Sequence, residues 1–169
     1  DQQRFRLHVT DARSLEGMPE TSLRAAESLA REEGREGWVF TLAAPSFFPF
    51  MQHCPDGRLR EEMYRAKMTV GAAGDEYDNR ELIRELVNLR LEYAQLLGAK
   101  NYAEKALRLR MARRPEAVYQ LLDELLDAYR PIAEDELARV EAYAREHGQT
   151  EPLQPWDWSY WAQQYQRAY

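Results

Sequence analysis

The spacing of apolar and polar residues predicts a chain that begins with short extended segments and continues as helices. Apolar and polar residues alternate from Phe5 to Thr10, which is the period of a half-buried strand. The segment Trp38–Leu42 is rich in aromatic and β-branched residues, and it is the best strand candidate in the chain. Because five residues do not make a stable sheet alone, we expect these two segments to pair.

Helical spacing dominates the rest of the first half. A helix is predicted from Pro19, which suits a first turn, to Gly34, a suitable C′ residue. The apolar cluster at 47–51, punctuated by prolines, predicts a short helix or turn. A further helix is predicted from Arg58 to about Val70.

The clearest amphipathic pattern lies in the middle of the chain. Its apolar residues recur at i, i+4, i+7, i+11 and i+14, which is one face of a helix: Leu82, Leu86, Leu89, Tyr93 and Leu96. Asp78 with Glu81 has the form of a capping box in front of it. The pattern predicts a helix that ends at Gly98.

Three more helices are predicted beyond that glycine. Asn101 with Glu104 repeats the capping signal for a short helix through Met111. Pro115 suits the first turn of the next helix. The inner face of that helix is expected to hold Val118, Leu121, Leu122 and Leu125. Pro131 predicts a kink or a break, and Asp157 is expected to cap a last helix.

These elements define a mainly α fold, a multi-helical, bundle-like segment with a minimal short-strand β element near the N-terminus. We interpret residues 1–169 as a single helical domain or fragment. Residues 1–56 form a mixed extended and helical entry region, and residues 57–169 form a helical region. The last helical pattern stops without a stop signal, so we expect a truncation at the C-terminal end.

Composition narrows the function classes. The formal net charge of −6 argues against nucleic acid as a partner, because phosphate contacts require a basic surface. The charged fraction of 31% and the lack of a long apolar run argue against a membrane partner. A single cysteine, Cys54, excludes an internal disulfide. No segment resembles a signal peptide, so we expect a cytoplasmic location unless the parent carries such a signal.

Residues that could carry chemistry are scattered. The three histidines, His8, His53 and His147, do not form an HExxH arrangement, in which two histidines on one helical face hold zinc. The adjacent His53 and Cys54 are a weak candidate for a catalytic or metal-binding pair, whereas a buried, apolar cysteine is the simpler interpretation. The paired carboxylates lie in charge-rich stretches typical of a solvated surface. We therefore predict no catalytic residue and no metal ligand in this chain.

Aromatic residues are concentrated near the C-terminus, with three of the four tryptophans within six positions. They form a possible interdomain or partner surface: Trp156, Trp158, Tyr160, Trp161, Tyr165 and Tyr169. Their spacing is also that of core residues on one helix face. In a truncated chain, such core residues would become exposed and would favour an artificial homodimer.

Several segments, in order, resemble a known family. Leu15–Glu20 resembles the LxGLPE element of the thimet oligopeptidase, oligopeptidase A and peptidyl-dipeptidase family of zinc metallopeptidases. Trp38–Leu42, Tyr77–Asn79, Leu89–Gly98 and Trp156–Trp161 resemble later elements of the same family. The resemblance covers nearly the whole chain, from about Leu15 to Tyr169, and the bacterial peptidyl-dipeptidases look like the nearest subgroup.

The resemblance implies an almost wholly helical enzyme with two lobes around a channel that admits short peptides. It also implies zinc in the full-length parent, held by residues that follow the last element seen here. The chain itself is then a non-catalytic segment of the channel wall, with no cofactor of its own. Its partners would be the remainder of the parent, which holds the catalytic lobe, and short peptides in the full enzyme. The alternative is a free-standing helical module that binds a protein or peptide.

Overall fold

The computed structural model describes residues 3–169, which are mainly α-helical, as predicted. The strands are β1 (Leu7–Val9) and β2 (Trp38–Phe40), with a 3-10 helix at Ala12–Leu15. The helices are α1 (Glu20–Glu32), α2 (Ala44–His53), α3 (Gly57–Met68), α4 (Arg80–Leu96), α5 (Tyr102–Leu107), α6 (Pro115–Glu146) and α7 (Trp158–Ala168). The chain divides into two compact units. The first runs up to Ala73 and resumes at Ala138–Tyr169, and the second is Gly74–Leu137.

The two predicted strands pair with each other in the first unit. They are antiparallel, with Leu7 opposite Phe40 and Val9 opposite Trp38. The turn into β2 requires Gly37, whose φ is +87°. A Cβ there would collide with the carbonyl oxygen of Val9, so any other residue would push the strands apart.

The core of the first unit lies where α1, α2 and α3 meet this strand pair. Its most deeply buried large side chains include Phe40, Phe50 and Met63. The Phe40 and Phe50 rings lie 4.6 Å apart and are tilted by 60°. Burying a side chain of this size contributes about 1.5–3 kcal/mol. Most of the buried apolar side chains in residues 3–169 therefore lie between Leu7 and Met63.

Helix α2 is more regular than its prolines suggested. Pro45 lies in the first turn, where its missing N–H costs nothing, but Pro49 lies inside the helix. Pro49 removes one backbone hydrogen bond. The burial of Phe47, Phe50 and Met51 on the same helix offsets that loss, so the segment forms a full helix of ten residues.

One local prediction in the second unit, the capping box at Asp78, is wrong. Asp78 does not form a capping box, because its carboxylate accepts hydrogen bonds from the backbone N–H groups of Arg80 and Gly74. The N-cap of α4 is Asn79, which makes no side-chain cap hydrogen bond. Of the kink or break predicted at Pro131, the break does not occur, because α6 continues from Pro115 to Glu146. The surroundings of Pro131 are exposed, so water can bond the carbonyl that the proline leaves free.

The predicted inner face of α6 is also on the outside in its first half. Leu121, Leu122 and Leu125 are exposed, and Val118 is half-buried. The pattern correctly predicted the helix, but no other element of the second unit covers that face.

The cap prediction at Asn101 is confirmed. The side chain of Asn101 accepts a hydrogen bond of 2.9 Å from the N–H of Glu104, and Glu104 accepts one from the N–H of Lys100. Helix α5 ends at Leu107, four residues earlier than predicted. In residues 3–169, no helix combines the length and the apolar character needed to span a bilayer.

Candidate functional site

The most constrained polar group in the structure is Arg60, in the first turn of α3. The carboxylate of Asp56 caps that helix by accepting from the N–H groups of Arg58 and Leu59. Arg60 lies three residues before the fully buried Met63, which places both on the inner face of the helix. A buried guanidinium is tolerated only when its donors are satisfied.

The donors of Arg60 are shared among four acceptors. Nη2 donates to Oδ1 of Asp157 at 2.6 Å, and Nε donates to the carbonyl oxygen of Trp156 at 3.2 Å. Nη1 donates to the carbonyl oxygens of Cys54 and Pro55 at 2.8 and 3.0 Å. The arginine therefore joins the end of α2, the start of α3 and the start of α7.

Asp157 uses both of its carboxylate oxygens in this arrangement. Oδ2 accepts from the N–H of Gln154 at 3.0 Å, while Oδ1 accepts from Arg60. Asp157 stands at the N-cap position of α7, as predicted, but its side chain makes no cap hydrogen bond. An ion pair whose partners are this fully occupied stabilises local structure, and it is poorly suited to exchange protons with a substrate.

Tyr160 adds an aromatic face to the same group. The guanidinium carbon of Arg60 lies 4.4 Å from the centre of the Tyr160 ring, which is a cation–π contact. Burial raises the pKa of Tyr160, and the charge of Arg60 acts in the opposite direction. The phenol consequently stays neutral at pH 7.

An open groove of about 490 Å³ runs beside this ion pair within the first unit. Its lining includes Arg58, Glu61, His147, Trp156 and Tyr160. Because the lining carries charges of both signs, the groove has no evident preference for an anion or a cation.

The predicted aromatic surface divides into three environments. Trp156 packs against the core of the first unit, with its ring 6.1 Å from that of Tyr64. Trp161 is buried against Val140 and Ala144 of α6, and Trp158, Tyr160 and Tyr165 are half-buried around it. Tyr169 is 89% exposed. Most of these rings therefore pack within the unit, and the role of the six residues as an interdomain or partner surface stays a prediction.

The side chains of the adjacent residues His53 and Cys54 lie in different surroundings. The Cys54 thiol is fully buried, and burial raises its pKa to about 11, so the reactive thiolate is scarce. The Nδ1 atom of His53 is buried without a hydrogen-bond partner. Burial lowers the pKa of His53, and the charge of Arg167 lowers it further.

The three histidines do not fit a zinc site. His8 pairs with the carbonyl oxygen of Glu36 at 2.6 Å, and His147 pairs with that of Tyr143 at 2.8 Å. In the described residues, no group of three or more histidine, cysteine or carboxylate side chains could hold a metal ion. The residues present here therefore do not match the ligand set of a zinc enzyme.

Sequence reasoning identified Asp157 only as a helix cap and did not single out its pairing with Arg60. The signal available in the sequence was an arginine placed three residues before Met63 and four before Tyr64. Such a position predicts a buried cation that needs a distant acceptor. It does not identify the acceptor, because 97 positions separate the two residues.

Comparison with known proteins defines the class. Residues 50–169 match the model of Peptidase family M3, which is more than half of the chain. The chain therefore belongs to this family. The predicted resemblance to oligopeptidases and peptidyl-dipeptidases is confirmed.

Individual relatives support the same assignment. Oligopeptidase A of Escherichia coli (strain K12) is 42% identical over 159 residues, which cover 92% of this chain. Probable cytosolic oligopeptidase A of Arabidopsis thaliana is 35% identical over an alignment of 169 positions, which covers 95% of the chain. Dipeptidyl carboxypeptidase of Escherichia coli (strain K12) is 34% identical over 162 residues, also 95% of the chain. Both subgroups are thus represented, with higher identity to the bacterial oligopeptidase A.

The chain spans only about a quarter of the length of these relatives. The matched regions are 23% of the bacterial oligopeptidase A and 24% of the other two proteins. The identity thus concerns one region of an M3 peptidase.

Proposed function

We propose that this chain is a non-catalytic helical segment of a zinc metallopeptidase that hydrolyses short oligopeptides and releases dipeptides. The observation that carries the proposal is the match of residues 50–169 to Peptidase family M3, together with relatives that are named as oligopeptidases and a dipeptidyl carboxypeptidase. The role of the segment is to form part of the wall of the substrate channel.

The chemistry of the side chains supports the non-catalytic part of the proposal. Hydrolysis by a zinc peptidase requires clustered ligands and a carboxylate that activates water. The 169 residues contain no HExxH sequence, and the histidines at 8, 53 and 147 bond or pack separately. Zinc is accordingly expected to be held by other residues of the parent, and the catalytic lobe of that parent is the expected partner.

The proposed place in the channel wall is supported by the family resemblance and by the helical structure of the segment. Rigid helices with solvated polar faces are suited to bounding a channel, because their backbone groups are satisfied internally. The buried Arg60–Asp157 pair ties α3 to α7 and stiffens one such group of helices. The substrate itself would meet side chains of this segment without being activated by them.

Zinc-dependent cleavage of an internally quenched short peptide tests the non-catalytic assignment. The full-length gene product should cleave the peptide and lose activity with a chelator, while the 169-residue chain should be inactive with zinc added. Turnover by the chain alone, or stoichiometric zinc bound to it, would overturn the assignment. An open reading frame that stops after Tyr169 would instead favour the free-standing interaction module.

Photo-crosslinking tests the wall role separately. A short peptide carrying a benzophenone side chain should label residues of this segment in the full-length protein, and an excess of unlabelled peptide should compete. Labelling confined to the rest of the protein would contradict a place in the channel wall.

A further inference from the structure

The second unit, Gly74–Leu137, carries its large apolar side chains on the outside. In this fully described range, the buried residues are two alanines, Ala94 and Ala99. Leu96 is 86% exposed, and Leu109 and Met111 are almost completely exposed. A unit with so little buried apolar surface has almost no hydrophobic stabilisation of its own.

The exposed residues of α4 form a broad band. Leu82, Leu86, Leu89, Tyr93 and Leu96 share one face, and Ile83 and Val87 extend it on one side. With about 100° between successive residues, the band covers roughly half of the helix circumference and is interrupted by Arg90. The opposite side holds the polar residues Arg84, Asn88, Glu92 and Gln95. A band this wide is typical of a helix with neighbours on more than one side.

The first half of α6 repeats the same spacing. Its apolar face contains Val118, Leu122, Leu125, Tyr129 and Ile132, again at i, i+4, i+7, i+11 and i+14. Four of these five side chains are exposed. Near the end of the same helix, Val140 and Ala144 are fully buried against Trp161 of α7. Where this helix is covered, the covering element is another amphipathic helix.

We propose that the apolar faces of α4 and of the first half of α6 dock helices from the part of the parent polypeptide that lies outside these 169 residues. The inference rests on the proposed function, since it requires a longer parent. The chain corresponds to 23% of a bacterial oligopeptidase A, so about three quarters of such a protein is available to cover the faces. The residues that bury Val140 indicate the chemistry of the occupant, which is an amphipathic helix rich in aromatic and aliphatic side chains.

A second copy of the chain fits these faces less well. A twofold dimer buries one self-complementary patch on each copy. The exposed residues lie instead on a half-cylinder of α4, on a separate face of α6, and at Leu109 and Met111 between α5 and α6. A single patch would leave much of this apolar surface in water.

Hydrogen–deuterium exchange measured on the 169-residue chain and on the full-length gene product tests the proposal. In the chain alone, amides of residues 80–96 and 115–137 should exchange rapidly, whereas those of α2 should be protected. In the full-length protein, residues 80–96 and 115–137 should exchange at least about 100-fold more slowly. Equal exchange in both proteins would overturn the proposal. Protection that appears only as the chain dimerises at high concentration would assign the faces to a second copy.

A matched pair of substitutions in the full-length protein tests whether the slower exchange depends on the apolar face of α4. Leu86→Asp should speed exchange across residues 80–96 by at least about tenfold. Asn88→Asp places the same charge on the polar face of the same helix and should leave exchange unchanged. Equal effects of the two variants would contradict docking through the apolar face. Peptidase activity is scored separately, so an inactive protein with a protected α4 would refute only the proposed function.

Discussion

The guanidinium of Arg60 donates a hydrogen bond of 2.6 Å to the carboxylate of Asp157, although 97 positions separate them in the sequence. Both side chains are almost fully buried. The pair joins the first turn of α3 to the start of α7, and thereby joins the N-terminal and C-terminal parts of the first unit. Removing either partner would leave a buried charge without compensation.

Asp157→Asn should destabilise the first unit by about 3–5 kcal/mol, because it leaves the buried guanidinium of Arg60 unpaired. Urea unfolding followed by tryptophan fluorescence measures this loss. A matched control is Glu27→Gln, which removes the same charge from the exposed pair with Arg31 and should cost less than about 1 kcal/mol. Similar losses in the two variants would show that burial does not set the strength of the Arg60 pair.

Trp161→Ala should cost about 3–5 kcal/mol, because the indole fills the space against Val140 and Ala144. Tyr169→Ala removes an exposed ring and should change the free energy of unfolding by less than about 0.5 kcal/mol. The same urea titration compares the two variants. A large loss in the Tyr169 variant would mean that this ring contributes to the unit more than its exposure indicates.

Lowering the pH should destabilise the first unit through His53. Burial lowers the pKa of this histidine in the folded chain below its ordinary value of 6.5. The unfolded chain therefore binds the proton first, and stability falls as the pH drops below about 6.5. Urea midpoints at pH 7.5 and 5.5 should differ less for His53→Gln than for the wild type. His8→Gln, which removes a different histidine, should retain the wild-type difference. A loss of the difference in His8→Gln alone would contradict this account.

Cys54 should react slowly with a thiol reagent at pH 8 in the folded chain. Burial raises its pKa to about 11, and the thiol is also shielded from solvent. Adding Ser28→Cys provides an internal control, because residue 28 is exposed on α1. The variant should show one fast and one slow thiol by mass spectrometry, and both should react quickly in denaturant. Two fast thiols in the folded protein would show that Cys54 is accessible.

The sequence predicted the elements of this fold better than their contacts, because the two depend on different information. Helix α1 follows Pro19 and is succeeded by Gly34 with φ +69°, and Asn101 caps α5, since each signal acts within a few residues. The partner of Arg60 was not predictable in this way. Its acceptor lies in another helix and is selected only when the chain folds.

Asp78 shows a different limit of local reasoning. Asp78 and Glu81 have capping-box spacing, yet the carboxylate of Asp78 bonds to the N–H groups of Gly74 and Arg80. The glycine adopts φ +77°, which curls the preceding loop toward the aspartate. The same residues are compatible with a capping box and with the observed hydrogen bonds to Gly74 and Arg80. The conformation of the loop selects the second arrangement.

Urea unfolding curves recorded by tryptophan fluorescence and by far-UV circular dichroism should not coincide. All four tryptophans, at positions 38, 156, 158 and 161, lie in the first unit, whereas far-UV circular dichroism reports helices of both units. Because the second unit buries only alanines, its helices should melt first, and the dichroism should begin to fall at a lower urea concentration than the fluorescence changes.

Substitutions can assign the early transition to the second unit. Leu125→Gly weakens helix propensity at an exposed site and should move only the early dichroism change to lower urea. The matched change in the first unit, Ala26→Gly, creates a defect at a buried site of α1 and should move the fluorescence transition. Superimposable curves for the wild type would mean that the two units unfold as one cooperative structure, even though almost all large apolar side chains of the second unit are exposed.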